Sequence, residues 1–218
     1  MPSQKIFLDF DGTITRVDVG VMLLDRFGAP DWRYYDEQFE KGQISMRECL
    51  NNEWNGFKGT QDQIFQEIIP RVEIELGFDN FVKEISKKEI PLAIVSDGFK
   101  FYIREILERN NIDTDSLEMY VNQANVDSDG KVTIFYITDE CEHGCANCKV
   151  FFVKAAQQEG YLTIYVGDGI SDFYPAQVAD IIFAKSGRSL ERFCKEKKII
   201  YHPFQDFYDI LKILEQLL

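Results

Sequence analysis

Two aspartates close an apolar run in Phe7-Leu-Asp9-Phe-Asp11-Gly-Thr13, and their spacing is the first feature that could do chemistry. In an extended strand, residues two apart share a face, so Asp9 and Asp11 would stand together at the carboxyl end, where open α/β sheets bind ligands. Neighbouring carboxylates repel each other, and a hard cation relieves that repulsion. Mg²⁺ suits the task because it prefers one or two carboxylates, water and a substrate phosphate. A second acidic cluster, Val166-Gly-Asp168-Gly-Ile-Ser-Asp172, also follows an apolar strand, so both clusters would meet at one sheet edge. Asp168 then becomes a metal ligand beside Asp9 and Asp11, and Asp172 ligates or orients the ligands from behind. An anion held here needs donors. Ile94-Val95-Ser96-Asp97-Gly98 offers the Ser96 hydroxyl and free backbone N–H groups where a strand runs into a helix, and Lys149 offers positive charge at the start of a helix. The set is suited to phosphoryl transfer.

Elements that could position these residues are legible in the hydrophobic pattern. Strands are expected near Lys5–Phe10, Ile90–Val95, Leu162–Val166, Ile181–Phe183 and Ile199–Tyr201, alternating with helical stretches, which predicts an α/β fold with a Rossmann-like parallel sheet. Residues 17–77 read as helices only, with Ser45-Met-Arg-Glu48 as a capping box, and form an expected cap inserted after the first strand. The expected core comprises 1–16 and 78–218. Two strand-like runs, Met119–Val126 and Lys131–Thr138, flank Asp127-Ser-Asp-Gly130 and predict a small projecting β-hairpin flap at about 119–138. The aromatics Trp32, Tyr34, Tyr35 and Phe39 read as the packing face of a cap helix.

The 218 residues include 45% apolar and 14% aromatic side chains, enough for such a core. A net charge of −13 argues against nucleic acid as a partner, which would require a positive footprint. The first residues lack a signal-peptide pattern and no apolar run is of membrane-spanning length, so the expectation is a cytoplasmic protein with no membrane partner. No feature identifies a protein partner. Five cysteines, three of them at 141, 145 and 148, fit reduced thiols better than a secreted disulfide framework. Zn²⁺ held by Cys141, Cys145 and Cys148 is the alternative to a reduced loop, with His143 poorly spaced as a fourth ligand.

Taken together, DFDGT, the strand-end Ser96, Lys149 and GDGISD resemble the four ordered motifs of the haloacid dehalogenase superfamily. The resemblance implies that Asp9 is a nucleophile and Asp11 a general acid and base. It also implies Mg²⁺ held by Asp9, the Asp11 carbonyl and Asp168, with Thr13 and Asp172 supporting. An acid at position 11 favours phosphatase over dehalogenase chemistry. Lys149, directly after Cys-x-x-Cys, matches the family lysine better than Lys154 does. The cap and hairpin resemble the phosphoserine phosphatase branch, where a Glu that meets the substrate amine falls at Asp18; Arg16 and Asp18 are therefore candidate substrate contacts. DFDGTIT, Ala29-Pro-Asp-Trp32, the Cys-x-x-Cys-Lys run and Pro203-Phe-Gln-Asp-Phe-Tyr208 are most similar to the 2-hydroxy-3-keto-5-methylthiopentenyl-1-phosphate phosphatases of methionine salvage. That ester is the substrate the resemblance implies. Phosphoserine, phosphocholine or another metabolite ester is the alternative, and a weakly active ligand-binding protein on the same fold is the reading from a different class.

Overall fold

In the computed structural model, which describes residues 3–217, the chain opens with β1 (Gln4–Leu8) and then passes through a helical segment. That segment holds α1 (Val19–Phe27), α2 (Trp32–Glu40), α3 (Met46–Asn55) and the short α4 (Gln61–Gln63). The last continues as a π turn at Ile64–Ile68 and a 3-10 turn at Ile69–Arg71. There follow α5 (Phe78–Lys87), β2 (Leu92–Phe99), α6 (Lys100–Arg109), β3 (Glu118–Val126) and β4 (Val132–Phe135). The remainder is α7 (Lys149–Gln158), β5 (Leu162–Gly167), β6 (Ile181–Lys185), α8 (Ser189–Lys197), β7 (His202–Phe204) and α9 (Phe207–Leu217).

The strands form one sheet in the order β4-β3-β2-β1-β5-β6-β7, parallel except for β4. β1 lies between β2 and β5, which explains why Ile6, Phe7 and Leu8 are all buried rather than alternating with polar residues. Ile6 and Leu8 pack with α5, α6 and α9 on one face through Phe81, Ile103 and Phe207. Phe7 packs on the other with Val153 of α7 and Leu190 of α8. The same arrangement brings the carboxyl ends of β1, β2 and β5 together, and the residues that follow them converge.

Several boundaries differ from the sequence expectation: β1 ends at Leu8 rather than Phe10, so Asp9 and Asp11 lie beyond it, and β4 ends at Phe135 rather than Thr138. The apolar run Ile199–Tyr201 is not a strand: Lys198 takes a left-handed conformation and the Ile199 N–H donates to Cys194 O, closing α8, while Ile200 is 89% exposed. The pairing strand is β7, three residues on. β2 runs on to Phe99, so Ser96 lies inside a strand rather than past its end. β3 is not confined to a hairpin, because residues 118–122 pair in parallel with β2 and only 123–126 pair with β4. The projecting part reaches the helical segment. Arg47 donates to Thr138 O at 2.7 Å and lies 4.2 Å over the Tyr136 ring, and Tyr136 donates to Asn51 at 2.9 Å. The capping box at Ser45 and Glu48 is formed as expected. Among the described residues, no helix is long and apolar enough to cross a membrane.

Candidate active site

Asp9 follows β1 directly and its backbone N–H donates to Val166 O of β5 at 2.9 Å, which places the side chain at the sheet's carboxyl edge. Lys149, the first residue of α7, is 2% exposed and donates to Asp9 at 2.7 Å, to Asp172 at 2.7 Å and to the Ser171 hydroxyl at 2.9 Å. Burial works against its ammonium, but the charges of Asp172 and Asp9 outweigh it and hold its pKa well above the ordinary range. Lys154 is exposed and takes no part. Asp172 is saturated: Lys149 and the Tyr165 hydroxyl donate to one oxygen, and the Asp168 and Gly169 backbone N–H groups to the other. It is therefore built to orient the site.

Oxygens of Asp9, Asp168 and Asp172 lie within 4.8 Å of one another. With both Asp172 oxygens already taken, Asp9 and Asp168 leave the two hard carboxylates that Mg²⁺ takes alongside water and phosphate, so the donor set fits the metal. Burial, with the Asp172 charge, lifts Asp168 to about 6 despite the Thr13 hydroxyl donating to it at 3.1 Å. Gly12, at φ +79°, lets the chain turn tightly here; a Cβ on it would meet Asp168 Oδ2 at 2.5 Å. Its carbonyl accepts from Lys185 at 2.7 Å, which in turn pairs with Glu75.

The Asp11 carboxyl is turned away from that cluster, accepting from the Val19 N–H at 2.9 Å and the Tyr102 hydroxyl at 3.0 Å. Burial, and then the charge of Asp18, raise it to about 8, so it carries a proton at neutral pH. Ser96 is buried, and its hydroxyl accepts from the Gly98 N–H at 3.0 Å. The Asp97 carboxylate is engaged by the Asn147 N–H at 2.7 Å, holding the loop that precedes Lys149. Gly98 allows close approach of β2 to Asp11, since a Cβ there would meet Asp11 Oδ2 at 2.8 Å.

Above these groups lies a cavity of about 620 Å³ reaching from Asp9, Asp11, Ser96 and Asp168 to α1, α2 and α3. Trp32, Trp54, Met22 and Phe39 supply apolar wall, whereas Tyr34 is exposed. Arg16 reaches its rim but is drawn into ion pairs with Glu73 at 2.6 Å and Glu75 at 3.4 Å. Asp18 caps α1 through the Val21 N–H and lines the cavity along with Asp36 and Glu53. Burial raises all three, Glu53 to about 7. Asp36 and Glu53, like Tyr102, Tyr165 and Asn147, were not singled out from sequence. Glu53 had a signal: Met46, Cys49, Leu50, Glu53 and Trp54 fall at i, i+3, i+4, i+7 and i+8, so an acid interrupts the apolar stripe of α3.

The family model described as "Putative Phosphatase" matches residues 5–213. A 2-hydroxy-3-keto-5-methylthiopentenyl-1-phosphate phosphatase from Lysinibacillus sphaericus (strain C3-41) is 30% identical, over 98% of this chain and 94% of that protein. Pdp3-interacting factor 1 from Schizosaccharomyces pombe (strain 972 / ATCC 24843) is 29% identical, over 97% and 95%. Among solved structures, a phospho-aspartyl intermediate analogue of phosphoserine phosphatase superposes with a TM-score of 0.71 at 20% identity, covering 98% of this chain and 99% of that one. This last similarity establishes the fold. With its motifs, sheet order and full-length match, the chain belongs to the Putative Phosphatase family within the haloacid dehalogenase superfamily and is a phosphoric monoester hydrolase.

Proposed function

We propose that this chain hydrolyses a small-molecule phosphate monoester through an aspartyl-phosphate on Asp9. The observation that carries the reading is a division of labour between two neighbouring carboxyls. Burial raises the pKa of both, but Asp9 has the Lys149 ammonium at 2.7 Å to hold its carboxylate, whereas Asp11 accepts from the Val19 N–H and the Tyr102 hydroxyl and keeps its proton at neutral pH. An Asp9 oxygen attacks phosphorus, the ester P–O bond breaks, and Asp11 gives its proton to the leaving alkoxide. The Asp11 carboxylate then takes a proton from water, which attacks the acyl phosphate and releases inorganic phosphate and Asp9. Asp9, Asp168 and the Asp11 carbonyl would hold Mg²⁺, whose positive charge would offset the negative charge of the phosphate and the nucleophile. The Ser96 hydroxyl, the Asp97 backbone and Lys149 face the phosphate oxygens, while the Gly98 N–H, expected from sequence to be free, is spent on the Ser96 hydroxyl and so positions it. In this reading residues 17–77 act as a cap and the hairpin as a flap, excluding water over a core of 1–16 and 78–218.

Names of the relatives support 2-hydroxy-3-keto-5-methylthiopentenyl-1-phosphate as the substrate, its methylthio chain lying against Trp32, Trp54 and Met22. One observation favours a second reading. Asp18, Asp36 and Glu53 line the cavity and none forms an ion pair among the described residues, which suits an alcohol half carrying an ammonium group, as in phosphoserine or phosphocholine. Phosphate release should be measured over these esters and a sugar phosphate, with and without Mg²⁺, for the native chain and Asp9→Asn. Mg²⁺-dependent turnover absent from the variant supports the mechanism, and the best ester identifies the substrate. Turnover no higher than the variant's background on every ester would sink the reading in favour of a ligand-binding protein.

A further inference from the structure

We propose that Cys141, His143, Cys145 and Cys148 form a structural zinc site that fastens the loop leading into Lys149. The proposal rests on the geometry of this loop alone. Donor atoms of Cys141, His143 and Cys145 lie within 4.8 Å of one another. Cys148, three residues beyond Cys145 and at the start of α7, is near enough to shift the Cys141 and Cys145 thiols and offers the fourth donor on eight residues of chain. Four soft or borderline donors of this kind match zinc and do not match the carboxylate cluster around Asp9.

His143 supplies the independent observation. Its Nδ1 is buried with no hydrogen-bond partner, the cost of which a metal ligand bond would remove. The ring is fixed against Tyr174, with centroids 4.0 Å apart, and Nε2 lies 3.6 Å from a Glu142 carboxylate oxygen. A histidine that ligates through one nitrogen and faces a carboxylate through the other is the arrangement metal sites use to fix the ring.

The backbone is shaped for the same purpose. Gly144, at φ +64°, makes a tight turn whose N–H donates to Cys141 O at 2.9 Å, and the His143 and Cys145 N–H groups point at the Cys141 sulfur. From Asp139 to Cys145 the sequence Asp-Glu-Cys-Glu-His-Gly-Cys contains no aliphatic or aromatic hydrocarbon side chain apart from the imidazole. Apolar burial contributes little to holding this turn, so a metal bound to its donors would add most of its cohesion beyond the backbone hydrogen bonds. Gly144 also touches the helical segment: its carbonyl accepts from the Arg47 N–H, and a Cβ on it would meet Ser45 Cβ at 2.6 Å. On the other side, Asn147 donates to Ser96 O and Tyr120 O. Zinc here would tie the cap contact, the phosphate strand and Lys149 into one unit.

Metal content of the purified full chain tests this without relying on activity. After dialysis to remove loosely held ions, native protein and Asp9→Asn should each retain about one zinc per chain, and Cys145→Ser below about a tenth of that. Cys145→His keeps a competent ligand, so it should retain zinc and separates metal loss from misfolding. Zinc-edge X-ray absorption should report three sulfurs and one nitrogen. Zinc-free folded protein with all three loop thiols reactive would overturn the proposal, as would a disulfide among them or zinc that disappears in Asp9→Asn but persists in Cys145→Ser.

Discussion

The floor and the roof of the cavity treat buried charge in opposite ways. On the floor, Asp9 and Asp172 share the Lys149 ammonium, and Asp172 also takes a tyrosine hydroxyl and two backbone N–H groups. On the roof, Asp18, Asp36 and Glu53 line the same space, and none of the three is ion-paired among the described residues. The floor holds its carboxylates in place with an internal cation and backbone donors before any ligand arrives, as preorganised electrostatic catalysis demands, and leaves negative charge for a metal to offset. The roof leaves its charge for something else to complete. A fixed phosphate end and an adjustable alcohol end are what a phosphatase fold needs in order to serve different esters.

Asp11 sits at the junction, its pKa raised by burial and by a roof residue, and it offers the largest effect. Asp11→Asn should lower kcat by about 10²–10⁴ while Asp9 remains able to attack. With a reactive ester, one equivalent of alcohol should then appear in a burst without matching phosphate. Under the proposed mechanism the acid form protonates the leaving group, so kcat/KM should fall as pH rises through about 8. An alkaline limb unchanged in Asp18→Asn would break the link between roof and floor, because removing the Asp18 charge should shift it to lower pH.

Lys149→Met comes next. Its removal leaves two buried carboxylates unpaired, and breaking such a cluster should cost about 3–5 kcal/mol of stability as well as activity. Chemical denaturation measures the loss directly. A variant as stable as the native chain would mean that water, rather than Lys149, compensates Asp9 and Asp172, and the contrast between floor and roof would collapse.

The floor was largely legible because its residues come in contiguous motifs, each directly after an apolar strand. Asp9, and Asp168 with Asp172, needed only strand direction to be brought together, whereas Asp11, past the end of β1, turns its carboxyl towards Val19 and Tyr102 instead of standing beside Asp9 on one strand face. What escaped depends on nonlocal or directional information. Parallel pairing of β3 with β2 is fixed by a crossover through α6, not by any local pattern. Ile199-Ile200-Tyr201 has strand-like composition, yet the left-handed Lys198 spends it on closing a helix. Roof residues were hidden because three helices contribute them singly, and only the acid interrupting the α3 stripe marked the position.

Glu53 offers the smallest and cleanest test of the roof. The residue is 8% exposed and its pKa is raised by burial from 4.5 to about 7, the Cys49 thiol offsetting part of the rise and Asp36 and Asp18 adding to it. Below about pH 4.5 both folded and unfolded chains hold the proton and ionisation contributes nothing. As pH rises from there to about 7, the unfolded chain releases the proton first, so stability declines, and above 7 the full cost of a buried unpaired carboxylate is present. Glu53→Gln removes that cost. It should stabilise the protein by about 1–3 kcal/mol at pH 8 relative to its effect at pH 5, read from denaturation at both pH values. Equal effects at the two pH values would show that Glu53 is not desolvated and that the roof carries no stored charge. The same variant tests what the charge is for: if it completes an ammonium-bearing ester, KM should rise for that ester alone, while the methylthio ester should be handled as before.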